Sequence, residues 1–309
     1  MCTCCRSARG DTLRAMRALW FVLAGCSFQP RAASLDAAGD ARHDAIHDAP
    51  GDATDAAQNG DSDGDGIANS SDNCPTIANP DQHDHDGDGR GDACDLCPHI
   101  NEAVDVDTDG DGIGDACDPR PSTAGDIKKA FFGFYDASET QGWLGNTTWT
   151  VANGVLTGGS TNIGLSYTYA STQYQHAFVQ VGVHLNQLAN PTGSVSPAAL
   201  LYNGDAGGTQ YYACEAALEN QGAKTVDATA VYPGTSNVTP QTWPGTLAAG
   251  SDLMYTDSIT GGMHTCTVSQ GTLTISAAQS AGPNTGVVSL AAANANVSYD
   301  YLWIVVAGS

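Results

Sequence analysis

Three aspartate-rich strings that align without a gap constrain this chain most: DSDGDGIANSSD from Asp61, DHDGDGRGDACD from Asp84 and DTDGDGIGDACD from Asp107. Each sets oxygen-bearing side chains at string positions 1, 3, 5, 9 and 12 and glycine at position 6. Aspartate is a poor helix former with a short carboxylate arm, so such a run favours turns and cation chelation over a salt-bridged helical face. Of the 34 acidic residues, 24 lie between Asp36 and Asp126, which makes the charge local. A formal net charge of −23 with no basic patch leaves nothing to neutralise phosphates, so nucleic acid is excluded as a partner.

The spacing matches the ligand layout of the EF-hand loop, in which the position-7 carbonyl adds an oxygen and glycine permits the sharp turn. On this chain the first loop would use Asp61, Asp63, Asp65, Asn69 and Asp72 with the carbonyl of Ile67. The second would use Asp84, Asp86, Asp88, Asp92 and Asp95 with that of Arg90. The third would use Asp107, Asp109, Asp111, Asp115 and Asp118 with that of Ile113. An all-oxygen cage suits a hard cation of high coordination number, so calcium is expected over magnesium, which prefers a stricter octahedron and keeps its water. Without cations the carboxylates repel and the segment should loosen; with calcium it should stiffen.

Two cysteine pairs, Cys74 with Cys94 and Cys97 with Cys117, have the same separation of 20 positions. The segment between the first pair reads CPTIANPDQHDHDGDGRGDAC. With its DNCP, NPxQ and DGxGDxCD elements at Asp72–Pro75, Asn79–Gln82 and Asp88–Asp95, it closely resembles the thrombospondin type 3 repeat over residues 61–119. The resemblance implies repeats wound around calcium with little hydrophobic core. It also implies disulfides Cys74–Cys94 and Cys97–Cys117, which an exported location permits. The second copy departs from the pattern, with DLCPHINEAVD where NPxQ belongs. Zinc would compete for these cysteines, but only Cys94 and Cys97 have CxxC spacing. Dockerin modules follow such loops with an apolar helix, and none is readable here.

Upstream, MRALWFVLAGC at residues 16–26 has a basic n-region, a short apolar stretch and a cysteine after small residues. It resembles the lipobox of bacterial lipoproteins, which implies a signal peptide over residues 1–26 and a lipid on Cys26. Met16 would give a more usual start than the extended leader. The expected location is the outer membrane or cell surface, with the N-terminal lipid as the membrane attachment. Residues 27–60, rich in Ala and Asp, read as a disordered linker, in which His43 and His47 are solvated spacers.

After a short linker at 120–126, residues 127–309 carry three Lys, no Arg and nine acidic side chains among Thr, Ser, Gly, Val, Tyr and Ala. Short β-prone runs alternate apolar and polar residues between Gly, Asn and Pro, so an all-β two-sheet sandwich is expected. The element WTVANGVLTGG and a closing YDYLWIVV strand resemble the concanavalin A-like, laminin G-type jelly roll. Cys214 and Cys266, both in predicted strands, should form a bridge. No glycosidase carboxylate string is present: Glu139, Glu215 and Glu219 are the glutamates here, and His176, His184 and His264 are isolated in order, so no enzyme is expected. Trp243, in the turn TPQTWPG, is the aromatic expected to be exposed for a ligand, with Trp143, Trp149 and Trp303 as core anchors. Asn203, Asp205, Asp252 and Asp257 lie in stretches that read as loops. The expected function is a calcium-binding adhesin or carbohydrate-binding lipoprotein whose partner is a glycan or a surface protein. The alternatives are an envelope structural protein or, less favoured, a polysaccharide-cleaving hydrolase.

Overall fold

A computed structural model describes residues 60–145, 149–175, 177–189, 198–204, 211–218, 223–232, 235–280 and 285–308. Cys26, the lipobox, the linker at 27–59, Asp205 and Glu219 lie outside the described residues. Among those described, the regular structure is β-strand throughout. The strands are β1 (Ile127–Phe132), β2 (Leu144–Gly145), β3 (Thr150–Ala152), β4 (Val155–Gln175), β5 (Ala177–Leu188), β6 (Ala198–Gly204), β7 (Tyr211–Leu218), β8 (Lys224–Tyr232), β9 (Thr235–Thr242), β10 (Asp252–Thr260), β11 (Met263–Gln270), β12 (Leu273–Ser280) and β13 (Thr285–Val306). All pairings are antiparallel, as expected for a jelly-roll sandwich.

The ladder runs β12-β11-β10-β5-β13-β6-β7-β8-β9, and it folds over so that β11 and β12 face β7 and β8. Two long strands make the fold possible. Ala295–Val306 of β13 pairs with β5, and Leu302–Val306 also with β1, whereas Val287–Ala293 pairs with β6. The register with β4 slips between Ala293 and Ala295, where Asn294 takes a left-handed φ of 54°. Opposite this bulge, Gly159 has φ 104°, and a Cβ there would stand 2.2 Å from the Ala295 carbonyl oxygen. Only glycine lets the two bent strands stay in contact as they pass from one sheet to the other.

Alternation decides the faces. On β5, Val179, Val181, Val183 and Leu185 point into the core, while Phe178, Gln180, Gly182 and His184 face outward. Cys214, Ala216, Val226 and Ala228 meet them from the opposite sheet, and the expected Cys214–Cys266 disulfide joins β7 to β11 across that interior. By loop-closure entropy a bridge of this span contributes about 4 kcal/mol.

The repeat section has turns but no strands, and both disulfides implied by the resemblance are present, Cys74–Cys94 and Cys97–Cys117. Repeats and strands fall in one compact unit. The second repeat is docked: Cys97, Ile113 and Cys117 share a buried cluster with Tyr301, Trp303 and Val305 on the outer face of β13. Trp303 Nε1 donates to the Cys117 carbonyl at 3.3 Å, and the His99 ring meets Gln180 Oε1 at 2.6 Å. The apolar surface that the repeats lack is therefore supplied by the sandwich.

Candidate calcium loops and a polar groove

The three loops share one hydrogen-bond frame. The position-1 carboxylates of Asp61, Asp84 and Asp107 each accept two backbone N–H groups, from Gly64 and Gly66, Gly87 and Gly89, and Gly110 and Gly112. Those glycines all hold positive φ, between 74° and 98°, which bends the loop back over its first residue. The donated N–H groups hold the Asp61 and Asp107 carboxyls below the usual range.

Within each loop, positions 1, 3 and 5 converge: Asp61, Asp63 and Asp65; Asp84, Asp86 and Asp88; Asp107, Asp109 and Asp111 each bring ligand oxygens within 4.8 Å of one another. At position 12, Asp118 brings a ligand oxygen within 4.8 Å of Asp111 and Asp126. Asp72, Asp95 and Asp118 are buried, and one oxygen of each caps the N–H two residues on. The residues fit a cation. At position 3, Asp63 Oδ2, Asp86 Oδ2 and both Asp109 oxygens are buried without a hydrogen-bond partner, as are Asp72 Oδ2 and Asp118 Oδ2 at position 12. A buried, unpartnered carboxylate oxygen is costly unless a positive charge meets it. Burial, with crowding by other aspartates, pushes Asp63 and Asp86 up, Asp95 to about 7 and Asp118 to about 6.

Position 9 departs from expectation. Asn69, Asp92 and Asp115 accept the N–H of loop residue 2, at 2.9, 2.9 and 2.8 Å from Ser62, His85 and Thr108. Their second side-chain atoms are also engaged: Asn69 Nδ2 with Ser62 Oγ, Asp92 Oδ2 with the Tyr135 hydroxyl, and Asp115 Oδ2 with Thr108 Oγ1. They tie the loop shut through the position-2 N–H, and in the first and third loops the position-2 side chain joins them across the turn.

The outer network explains the departure of the second copy. In the first, Asn79 donates its N–H to Asp65 Oδ2, and Gln82 Nε2 donates to Asp72 Oδ1. In the second, Arg90 pairs with Asp88 and Asp105 at 2.8 and 3.0 Å. In the third, Asp126, held by Arg120, takes the place of Asn79 and donates its N–H to Asp111 Oδ2.

The sandwich grips the second loop directly. Tyr135 OH donates to Asp92 Oδ2 at 2.9 Å and its ring stacks on His83 at 3.6 Å. Lys128 Nζ reaches the Asp95 carbonyl, and His85 lies edge-on to Phe131 and Tyr301. Glu139 holds the Tyr135 turn, accepting N–H groups from Gly133, Phe134, Tyr135 and Asp136. Its role is structural.

Beside the docked repeat, the outer face of β5, β10 and β13 stays open as a groove of about 580 Å³ lined by residues including His184, Asp252, Ser298 and Asp300, with no Lys or Arg. His184 Nδ1 lies 2.6 Å from Asp252 Oδ1, and Asp300 faces His85 of the second loop at 3.7 Å. Asn186 Nδ2, on the same face, donates to Asn296 Oδ1 and Ser298 Oγ at 3.1 and 2.8 Å. Sequence order gave no hint of this strip, since its members come from three distant strands.

Two expectations are corrected. Trp243 is 1% exposed and packs in the core, where Gly245 lies so close that a Cβ would meet the indole at 2.6 Å. The Pro-rich turn tucks its large apolar ring under the sandwich end instead of presenting it, since burial of an indole outweighs exposure. Asp257 is not on a loop rim: it lies in β10, fully buried 2.5 Å from His264. Trp303 is fully buried, while Trp143 and Trp149 are partly buried against the core. Asn203 belongs to β6, and Asp252 opens β10 at the groove.

A family model for the thrombospondin type 3 repeat matches residues 43–82 and 83–103, so this chain carries such repeats. A comparison with curated proteins found no match. Among solved structures the chain is similar to the carbohydrate binding module CBM66 from Bacillus subtilis, at 16% identity, covering 52% of this chain and 92% of that one with a TM-score of 0.40. It is similar to a Bacillus licheniformis beta-glucanase at 10% identity, covering 59% and 98% with a TM-score of 0.41. A winged bean acidic lectin, complexed with methyl-alpha-D-galactose, is 6% identical, with 58% and 99% covered and a TM-score of 0.43.

Proposed function

We propose that this chain is an exported, lipid-anchored surface protein that binds glycans through the open face of its sandwich, with calcium ordering the repeats beside that face. The observation that carries the reading is the polar set His184–Asp252 and Ser298 lining a groove with one end against the second calcium loop, with Asn186 and Asn296 beside it on the same sheet face. Amide, imidazole and hydroxyl groups on a rigid sheet match the hydrogen-bonding pattern of sugar hydroxyls, and rigid placement limits the entropy lost on binding. Calcium enters each loop through the carboxylates at positions 1, 3, 5 and 12, with the carbonyls of Ile67, Arg90 and Ile113 completing the cage. Cys26 carries the lipid, residues 27–60 are the tether, and the role is adhesion. Cleavage of glycosidic bonds is not part of this reading.

The test is retention of the mature chain, begun at Cys26 without lipid, on a panel of immobilised polysaccharides in millimolar calcium and in chelator. Saturable retention on a defined glycan, lost in Asn186→Ala and unaffected by Val238→Ala on the edge strand β9, is expected. Retention on no glycan, with capture of a defined surface protein instead, would transfer the groove to the protein-binding alternative.

A further inference from the structure

A bulge in the last strand aims a carboxylate into the groove. The register of β13 against β5 shifts between Tyr299 and Leu302, and both of those residues enter the core. The two residues between them therefore share the outer face, where strict alternation would put one. Tyr301 packs with the docked repeat, and Asp300 lines the groove. Gly182 of β5 makes the room for both: a Cβ there would stand 3.0 Å from the Tyr301 ring and 3.1 Å from the Asp300 Cβ. Bulges of this kind re-aim a side chain next to a functional surface.

A second carboxylate faces it from the far wall. Asp252 opens β10, two strands from β13 with β5 between them. At about 4.8 Å per strand, the two carboxylates stand on the order of 10 Å apart across the groove. His184 Nδ1 engages Asp252 through Oδ1, which leaves Oδ2 to a ligand. Among the described residues Asp300 pairs with His85 alone, at 3.7 Å. The two side chains are 84% and 60% exposed, so both present their charge to whatever fills the groove. No Lys or Arg is among the described lining residues.

Charge decides what such a surface admits. A carboxylate or sulfate on a ligand would meet two like charges, on a chain whose formal net charge is −23. A sugar hydroxyl can donate to either aspartate, but a charged ammonium makes a hydrogen bond about twice as strong. We infer that the groove selects glycans carrying free amino groups, glucosamine-type sugars whose ammonium groups pair with Asp252 and Asp300. This rests on the proposed glycan reading and adds the class of sugar. N-acetylation removes the charge, and uronic or sulfated sugars are repelled, so the same two carboxylates bind one class and reject another.

The experiment titrates the full mature chain calorimetrically in millimolar calcium, at about 0.15 M salt to screen diffuse attraction between distant charges. The probes are a glucosamine tetrasaccharide, its N-acetylated counterpart, a galacturonic acid oligomer and tetralysine. Saturable binding of the glucosamine oligomer at a single site is expected, about 10-fold or more tighter than its N-acetylated form, with no binding of the uronate. Asp252→Asn and Asp300→Asn keep the shape and remove the charge, and each should weaken that binding by about 10-fold. Asp136→Asn, an exposed aspartate outside the groove, should leave it unchanged. Equal affinity for the two tetrasaccharides overturns the inference and leaves the glycan reading standing. A loss in Asp136→Asn as large as in the groove variants also overturns it, because attraction to the whole acidic chain would then account for the binding. If no saccharide binds, the inference and the glycan reading both fall. Tetralysine bound in that case, with the same dependence on Asp252 and Asp300, would pass the groove to a basic protein segment.

Discussion

The repeat section and the sandwich solve the same problem by opposite means. In the sandwich, alternating strands bury Val179, Val181, Val183, Leu185, Leu290, Leu302 and Ile304 in a shared interior, and backbone groups pair along ladders. In the repeats, backbone N–H groups turn instead onto aspartate side chains, and the interior of each loop is a set of carboxylates. One region folds by excluding water from apolar surface, whereas the other brings negative charges together in loops that fit a cation. They meet where the second repeat sets Ile113 and its disulfide against Trp303. The repeats therefore take their apolar contact from the sandwich face, while their converging carboxylates form sites that fit a cation.

The comparison breaks most completely with a chelator. Removing calcium should leave the strand signal in far-ultraviolet circular dichroism intact while residues 61–126 become susceptible to limited proteolysis. Equal resistance with and without chelator would show that the carboxylate sites do not organise the loops.

Trp303→Ala removes the apolar contact without touching a carboxylate. Truncating a fully buried indole costs about 3–5 kcal/mol, here drawn from both the sandwich and the docked repeat. The variant should melt earlier and expose the 97–117 loop to protease even in saturating calcium. A variant destabilised without that local cleavage would place the cost in the sandwich alone.

Acid should act at the interface. Burial pushes His99 down to about 4 from the ordinary histidine value of 6.5, so the ring is held neutral in the docked state. A depressed folded value gives full docking stability above the unfolded value, lost as pH falls through the window from 6.5 to about 4, by on the order of 3 kcal/mol at its lower end. His85 opposes this: burial pulls its value down, but Asp300, Asp92 and Asp86 outweigh that and raise it, so its contribution is present at low pH and fades as pH rises. Thermal melts between pH 7 and 4 in calcium should fall less steeply for His99→Gln, which keeps an amide facing Gln180 and cannot titrate. Identical slopes would move the acid sensitivity elsewhere.

The smallest effect is expected at the Tyr135 turn. Glu139→Gln weakens four backbone contacts from charge-assisted to neutral, a loss of about 1 kcal/mol or somewhat more. The turn should loosen its hold on Asp92, read as weaker calcium binding at one of the three sites in a calorimetric titration. Three unchanged sites would show that Tyr135 stacks on the second loop without supporting it.

Local pattern carried much of this structure. Positions 1, 3 and 5 of each loop, the glycine at position 6, and most strands were legible because chelating loops and pleated strands repeat on the scale of a few residues; β9 and β10, which the sequence presents as a Pro-rich turn and a loop, were not. At position 9 the pattern gave the residue type but not its partners, since the hydrogen bonds of Asn69, Asp92 and Asp115 are decided by what lies across the turn. Trp243 failed for a related reason: a Pro-rich turn signals a surface location for its backbone but says nothing about which way a large ring will fold.

By itself, then, the sequence determined the division into an acidic repeat section and a β domain, the converging aspartates and the three disulfide pairs. The repeats and the β domain are encoded by spacing within short segments; the two repeat disulfides followed from the resemblance to thrombospondin type 3 repeats, and Cys214–Cys266 from two cysteines in predicted strands. Tertiary structure alone decided that the repeats dock on β13, and that Ser298, His184 and Asp252 stand in one row. Those juxtapositions depend on sheet register and on the bend at Gly159 and Asn294, where residues 46 to 114 positions apart become neighbours through hydrogen bonds that no local pattern specifies.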